Sequence, residues 1–174
     1  MRLPMLAVVA LSSMAVGGVP AAAAPAQLSA RDAAFVAAAG YGGSFEVAGG
    51  ELARTRAESP DVREFGGRMV SDHTKAGARL AALVKPLGVS VPDRPNAAQQ
   101  NIIMNWSRLD GRAFDCSYVP AEYLDHVGAV GLFANEAAHG DNADLVRFAR
   151  ETLPTLEDHE EMITAALAVL DCSQ

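Results

Sequence analysis

Beyond residue 28, the apolar residues of this chain recur every three to four positions, which is the spacing of one face of an α-helix. No run of alternating Val, Ile, Thr or aromatic residues between turn residues interrupts this pattern, so the signals typical of β-strands are absent. Alanine, the strongest helix former, is abundant throughout. The sequence therefore predicts an all-α fold.

Capping and turn residues divide this pattern into long helices. The first helix is predicted to begin after Ser29, which can cap a helix N-terminus, and to run to about Ala57. The second is predicted to restart with Ser59 as cap and Pro60 in the first helical position, and to continue to about Gly88. The turn between these two helices is therefore tight.

The second half of the chain contains two more long helices, which follow a long connection. Residues 89–96 form an extended link with two prolines, and residues 97–109 are predicted to form a short helix. Trp106 of this segment, together with Met104, is expected to anchor the connection to the rest of the fold. The third long helix is predicted over about residues 112–139 and the fourth over about residues 142–170. Four amphipathic helices with a long connection between helices 2 and 3 favour a ferritin-like four-helix bundle.

The start of the chain has the layout of a secretory signal peptide. Arg2 precedes an apolar run, and the small residues that follow contain two A-x-A cleavage signals. We expect residues 1–26 to be removed, with cleavage near Gln27 or Ala24. That would leave residues 27–174 as one bundle domain in the periplasm or another exported compartment; the alternative is an uncleaved N-terminal anchor.

Composition excludes several classes of partner and activity. Without Arg2 the chain has 13 basic residues against 21 acidic ones, a net charge of about −8, and no cluster of Lys and Arg. Phosphate binding needs such clusters, so nucleic acid is excluded as a partner. No apolar stretch after the leader reaches the roughly 20 residues that a membrane span requires. No nucleophile motif or phosphate-binding loop is present, so no catalytic residue is assigned, and no protein partner is indicated.

The chain contains two cysteines, Cys116 and Cys172. An exported protein meets oxidising conditions, so pairing is the default expectation. If the last two long helices are antiparallel, the start of one lies beside the end of the other, and the two cysteines face each other. We therefore expect a disulfide bond.

Three of the four histidines directly follow an aspartate. Each of these histidines falls on the apolar stripe of its predicted helix, whereas the aspartate before it is turned about 100° away. The inward residues are His73, His126 and His159, and the flanking residues are Asp72, Asp125 and Asp158. The aspartates are expected to be solvated, paired with arginines, or hydrogen-bonded to a histidine of a neighbouring helix.

The first helix has no histidine, and its inner stripe carries one carboxylate, Glu46. Glu46 lies 13 residues before Ser59 and His73 lies 14 residues after it, so the two have nearly the same height in an antiparallel pair. Measured from the cysteines, the heights of His126 and His159 differ by only about 5 Å. These four residues are therefore predicted to form one polar layer.

Paired glycines flank the first turn at similar distances along the chain. They are Gly49-Gly50 before the turn and Gly66-Gly67 after it. A glycine inside a helix costs about 1 kcal/mol relative to alanine, so these pairs indicate a close approach of the two helix backbones.

Three stretches of the sequence resemble one known family. They are "AAGYGGSFEVAGGELARTRAESPDVREFGGRMVSDHTKA", "FDCSYVPAEYLDHV" and "LVRFARETLPTLEDHEEM". Over about 145 residues the chain is similar to the exported ferritin-like family catalogued as domain of unknown function 4142. The resemblance implies a ferritin-like bundle outside the cytoplasm, and it implies no established activity.

A layer of one glutamate and three histidines suits a metal ion. Imidazole binds Fe(II), Mn(II), Zn(II) or Cu(II), and the carboxylate favours the harder ions among them. A di-iron site of the ferritin type needs Glu-x-x-His on two helices, but Val70, Tyr123 and Leu156 stand three residues before the inward histidines. Glu122, four residues before His126, is only a partial substitute, so ferroxidase chemistry is disfavoured.

Two interpretations of the layer remain open. One is a metal-binding or redox centre formed by the four inward residues, with supporting residues around it: Asp72, Glu122, Asp125 and Asp158. The other is a structural or interaction protein in which the layer is a closed hydrogen-bonded network without metal, because burying such groups without partners would cost several kcal/mol. His139, the fourth histidine, is expected only to complement the dipole at the end of its helix.

Overall fold

The structure, a computed structural model, describes residues 27–173. The predicted signal peptide, residues 1–26, lies outside this part of the chain. The described residues form five α-helices and one 3₁₀ turn and contain no β-strand, so the predicted all-α fold is confirmed. The helices are α1 (Ala30–Arg56), α2 (Pro60–Val84), α3 (Ala97–Trp106), α4 (Gly111–His139) and α5 (Ala143–Val169).

The helix ends lie close to their predicted positions because capping depends on local sequence. The side chain of Ser29 accepts a hydrogen bond from the backbone N–H of Asp32 at 3.1 Å and so caps α1. Helix α2 ends at Val84, and the 3₁₀ turn Lys85–Leu87 leads to Gly88. The φ angle of Gly88 is 71°, a left-handed conformation that glycine adopts without strain.

Two buried aspartates hold the two tight turns between long helices. Asp115 of α4 accepts hydrogen bonds from the backbone N–H groups of Glu58 (3.2 Å) and Ser59 (2.8 Å), between α1 and α2. Asp32 of α1 accepts hydrogen bonds from the N–H groups of residues 141–142, at 2.9 and 3.0 Å, between α4 and α5. The side chain of Ser59 makes no capping hydrogen bond. Ser59 therefore occupies the predicted N-cap position, but Asp115 holds the turn through N–H groups that precede the helix.

The four long helices contact one another in a ring. Helix α1 packs against α2 and α4, and α5 packs against α4 and α2, while the short α3 contacts α1 and α4. At the crossing of α1 and α2, a Cβ atom added to Gly50 would lie 2.6 Å from the carbonyl oxygen of Gly66. The predicted close approach is confirmed for these two glycines. The predicted close approach is wrong for Gly67, where an added Cβ would meet nothing within 4 Å. Gly49 does not face α2 but makes room for the ring of Trp106.

Apolar side chains form two buried clusters with the predicted polar layer between them. One cluster contains Phe45, Ala53, Ala57, Val62, Phe65, Met69, Trp106, Phe114, Tyr118, Val119 and Ile163. The other contains Phe35, Val36, Leu80, Val84, Phe133, Ala137, Leu145, Phe148, Ala149 and Leu156. Each long helix contributes to both clusters, and α2, α4 and α5 carry their polar-layer residue between the two contributions, whereas Glu46 of α1 directly follows Phe45 of the first cluster. The layer therefore lies between two regions of apolar packing.

Trp106 anchors α3 as predicted, because its ring packs 5.2 Å from that of Phe45 and 5.0 Å from that of Tyr118, measured between centroids. Met104 does not share this role, since half of its surface, 50%, is exposed. Residues two positions apart in an α-helix are separated by about 200° of rotation about its axis, so Met104 and Trp106 face opposite sides.

A disulfide bond closes one end of the fold. Cys116 and Cys172 lie at disulfide-bonding distance with Cα atoms 5.9 Å apart, as the sequence predicts. The bond joins the first turns of α4 to the segment that follows α5. Within residues 27–173, no helix is both long enough and apolar enough to traverse a lipid bilayer.

Candidate metal centre

Three imidazole rings meet in the polar layer. His73 projects from α2, His126 from α4 and His159 from α5, and their ring centroids lie 5.5 to 6.0 Å apart. One ring nitrogen of each histidine lies within 4.8 Å of one nitrogen of each of the others. The structure therefore brings together all three histidines that the sequence places on inner stripes.

Glu46 lies beside only one of these rings. Its Oε1 is 3.9 Å from Nδ1 of His126, and Oε2 of Glu122 is 3.8 Å from the same nitrogen. Glu46, Glu122 and His126 thus form a second compact group that shares His126 with the histidine triad. The layer predicted as one set of four residues is in fact two overlapping sets of three.

Glu122 has a more central position than the sequence analysis assigned to it. Both carboxylates of this second group are buried, with Glu122 0% and Glu46 2% exposed. The separation of Glu122 from His126 by four residues puts both side chains on the same face of α4. That spacing was the available signal, and the missing information was which neighbouring helix this face contacts.

Two of the imidazoles are oriented by hydrogen bonds on their outer sides. Nδ1 of His126 donates to the backbone carbonyl of Glu122 at 3.0 Å. Nε2 of His159 donates to Oδ2 of Asp72 at 3.3 Å. Each bond places the proton on one nitrogen and leaves the other with a free lone pair. Imidazoles that bind metals are usually held in this way by a second acceptor.

The opposite nitrogens have no hydrogen-bond partner among the described residues. Nε2 of His126, Nδ1 of His159 and Nε2 of His73 are all buried from solvent. The carboxylate oxygens of Glu46 and Glu122 are buried and lack a partner in the same way. An unsatisfied buried polar group costs about 1 to 3 kcal/mol, so this arrangement strongly favours a bound species.

Burial keeps the imidazoles neutral. It lowers the pKa of His73 to about 3 and that of His126 to about 4. It also lowers the pKa of His159, although the hydrogen bond with Asp72 opposes the change. Since only the neutral ring offers a lone pair, all three histidines are in the form that binds a metal at neutral pH.

The pKa values of the two glutamates are raised, whereas those of the histidines are lowered. Burial, followed by the negative charge of Glu122, raises the pKa of Glu46 well above its usual value. Burial likewise raises the pKa of Glu122 to about 8. Two adjacent buried carboxylates repel each other, so they retain protons unless a positive charge lies beside them.

The flanking aspartates differ from one another. Asp72 bonds to His159 on the neighbouring helix, and its second partner is Lys75, at 3.4 Å, rather than an arginine. Asp125 lies close enough to Glu46 to raise the pKa of that carboxyl further. Asp158 is exposed on α5. Of the three aspartates, Asp72 is the one that holds an imidazole in place.

A further buried carboxyl, Glu136 of α4, was not singled out by the sequence. It is 1% exposed and lies beside Asp32 at the end of the fold where α4 turns into α5. Its one local signal is the spacing of three residues to His139, and that histidine is exposed at the end of α4. Its contact with Asp32 joins residues that are far apart in the sequence.

Comparison with known proteins assigns a family and no function. The family described as "Domain of unknown function (DUF4142)" matches residues 17–166 of the chain. No curated protein and no solved structure matches the chain.

Proposed function

Because the chain belongs to the DUF4142 family, whose description names no activity, we propose on the basis of its own geometry that it is an exported metal-binding protein. The proposed centre holds one transition-metal ion between His73, His126 and His159. Glu46 and Glu122 lie beside Nδ1 of His126, on the other side of that ring from its free Nε2, and form a second group of carboxylate oxygens that shares His126.

One observation carries this proposal: three buried imidazole nitrogens converge without a partner while two of the rings are held from behind. A bare nitrogen accepts hydrogen bonds and cannot donate one, so Nε2 of His126 and Nδ1 of His159 cannot satisfy each other. A metal ion accepts a lone pair from every ring at about 2.0 to 2.1 Å and removes the whole deficit. A closed hydrogen-bonded network would need contacts of about 2.7 to 3.2 Å between these groups.

Donor chemistry limits the choice of ion. Three imidazoles suit Zn(II), Cu(II), Fe(II) or Mn(II), and the adjacent carboxylates favour the harder ions over Cu(I). Mg²⁺ and Ca²⁺ prefer oxygen ligands and fit poorly. A cation at this position would also lower the pKa values of Glu46 and Glu122 and so release their protons.

The surrounding fold suits such a centre. The ring of contacts among α1, α2, α4 and α5 supports a four-helix bundle, and the long connection that contains α3 supports a ferritin-like layout of its helices. Metal sites of bundles are built from side chains on facing helices, as the three histidines are here. The disulfide pair supports export, because such bonds persist in oxidising compartments.

Metal content tests the proposed function. Purified wild-type protein loaded with Zn(II), Mn(II), Fe(II) or Cu(II) and then dialysed should retain about one ion per chain, and His126→Ala and His159→Ala should retain far less. Retained metal stabilises the fold by roughly 4 kcal/mol when its concentration is about 1,000 times Kd, so a chelator should lower Tm. His139→Ala is the matched control, since His139 is exposed at the end of α4.

A wild-type protein that retains none of these ions, and whose Tm a chelator leaves unchanged, would refute the metal centre. The layer would then be a structural network.

Export is tested separately by mass spectrometry of the protein from its native compartment. The N-terminus should lie between Ala24 and Gln27, whereas an intact Met1 on a membrane-extracted protein would contradict export.

A further inference from the structure

A cavity of about 490 Å³ extends from the candidate metal centre to the surface of the protein. Its inner end is lined by Glu46, His73 and His159. Its outer rim includes Tyr41 and Leu124, whose surfaces are 39% and 69% exposed. The volume lies within the range of small-molecule sites, roughly 300 to 1,000 Å³.

Glycines on three helices keep this space open. The cavity is lined by Gly42 and Gly43 of α1, Gly77 of α2 and Gly128 of α4. A Cβ added at Gly42, Gly77 or Gly128 would meet nothing within 4 Å, and one added at Gly43 would approach only Nδ1 of His73, at 3.9 Å. Glycine is less favourable than alanine inside a helix, so these positions carry a cost in stability that packing does not explain.

The groups at the inner end of the cavity can bond to a ligand. Nδ1 of His159 is buried without a partner, and so are both carboxyl oxygens of Glu46. Each of these residues is only 2% exposed. Because Nε2 of His159 already donates to Asp72, its Nδ1 is an acceptor, and the matching group on a ligand is a hydrogen-bond donor.

The sides of the cavity are mostly apolar, although Asn96, Gln99, Thr152 and Thr155 also line it. The apolar sides are formed by alanine side chains and by Leu80, Leu132, Phe133, Phe148 and Leu156. The two phenylalanine rings lie 5.9 Å apart, centroid to centroid, and offer faces and edges to another ring. An apolar, ring-bearing body fits this lining.

We propose that the cavity binds an apolar molecule of the phenol class. The ring lies between the apolar walls, and the hydroxyl donates its proton to the free nitrogen of His159 or His73. A carboxylate head fits poorly, because lone pairs and the acidic side chains of Asp72 and Asp125 line the same space. A charged ammonium head costs more to remove from water than a neutral hydroxyl does. An imidazole nitrogen accepts this bond only when no metal ion holds the same lone pair, so the inference concerns the metal-free protein, goes beyond the proposed metal centre and does not depend on it.

Calorimetric titration with three probes that share a propylphenyl body tests the proposal: 4-propylphenol, propylbenzene and 4-propylbenzoate. The titrations are made on the purified protein and again after chelator treatment and dialysis; the heads are compared in the chelated form, where no ion can attract the carboxylate. One buried hydrogen bond contributes about 1 kcal/mol, so 4-propylphenol should bind about five- to tenfold more tightly than propylbenzene. The benzoate should bind more weakly than the phenol.

Two glycine variants show whether the probe occupies this cavity. Gly42→Leu places a side chain in the open space and should weaken binding of 4-propylphenol at least tenfold. Gly67→Leu is the matched control, because Gly67 is also helical and open but lies outside the cavity. Both variants should fold, since leucine is a better helix former than glycine, and their Tm values confirm this.

The proposal is wrong if the wild type does not bind 4-propylphenol, if propylbenzene or 4-propylbenzoate binds as tightly, or if Gly42→Leu binds as well as the control. Metal content is measured on the same samples. Metal retention without phenol binding would contradict the cavity inference alone, and phenol binding without metal retention would contradict the metal centre alone.

Discussion

Asp72 supports the candidate metal centre from a neighbouring helix. Its carboxylate accepts the hydrogen bond from Nε2 of His159 and directs Nδ1 of that ring toward the other imidazoles. Burial tends to raise the pKa of Asp72, but the hydrogen bonds with His159 and Lys75 outweigh it and lower the pKa, so the carboxylate is ionised. Its role at the candidate centre is therefore to hold the ring of His159 in place.

Asp72→Ala should weaken metal binding without abolishing it. Losing the group that orients a ligand histidine usually costs about 10- to 100-fold in affinity. Competition titration against a chromogenic chelator measures this change, and Asp158→Ala is the control because Asp158 is exposed one position before the same histidine. Equal affinities of the two variants would remove Asp72 from the site.

Glu136 should make stability depend on pH independently of the metal centre. Burial, followed by the nearby charge of Asp32, raises the pKa of Glu136 to about 7, while Arg31 opposes the rise and Asp141 adds to it. A carboxyl whose pKa is higher in the folded state than in the unfolded state binds its proton on folding. Its stabilising contribution is therefore complete below pH 4.5, its ordinary pKa, and is lost as the pH rises through about 7.

Glu136→Gln imitates the protonated carboxyl and should remove this component. The wild type is expected to lose stability relative to the variant between about pH 4.5 and 7.5. Urea unfolding of metal-free protein across this range measures the difference, and the comparison cancels the titration of Glu46 and Glu122, which both proteins share. A difference that does not change with pH would show that Glu136 keeps an ordinary pKa.

At the scale of helices, the crossing of α1 and α2 depends on one of two adjacent glycines. A Cβ at Gly66 would lie 2.7 Å from both the Cβ of Ala53 and the carbonyl oxygen of Gly50, whereas one at Gly67 would meet nothing. Gly66→Ala should therefore destabilise the protein by about 1 to 3 kcal/mol through overpacking. Gly67→Ala should stabilise it by up to about 1 kcal/mol, because alanine favours the helix.

Thermal unfolding of both variants checks this prediction, and the decisive quantity is the difference in sign. If both substitutions stabilised the protein, the two helices would have to be further apart than the structure shows. The sequence indicated a close approach from the paired glycines but could not distinguish Gly66 from Gly67. Which of two neighbours faces the partner helix depends on the rotation of α2 about its axis.

The elements themselves were largely predictable, and the contacts between distant ones were not. Ser29, Pro60 and Gly88 mark helix ends by local capping and conformational preference, so the five helices follow from the sequence. The turn-holding roles of Asp32 and Asp115 join residues 109 and 57 positions apart, and no local pattern reports such contacts. The candidate metal centre was likewise predictable in part. Helical period and chain length place the three histidines at one height, but side-chain conformation decides that Glu46 meets Glu122 and only one of the rings.

At the scale of the whole molecule, the disulfide and Asp115 close one end of the fold, whereas Asp32 closes the other end by hydrogen bonds to the turn between α4 and α5. The Cys116–Cys172 bond links residues 56 positions apart and encloses the hairpin of α4 and α5. At the same end, the turn between α1 and α2 is held by Asp115, which lies next to Cys116 in the sequence. Cross-linking a loop of this length restricts the unfolded chain and stabilises the fold by roughly 4 kcal/mol in the chain-entropy model.

Removing the bond should therefore lower the melting temperature by roughly 10 to 20 °C, since about 1 kcal/mol corresponds to 2 to 4 °C or slightly more for a chain of this size. The variant Cys116→Ser/Cys172→Ser and wild-type protein treated with a reductant should show the same loss in calorimetry. The serine variant with reductant is the control, and its Tm should not change further. In unfolded but unreduced wild-type protein, an alkylating agent should modify neither cysteine. Free reaction of both thiols in that experiment would show that the bond does not form, and the end of α5 would then be held to α4 by packing alone.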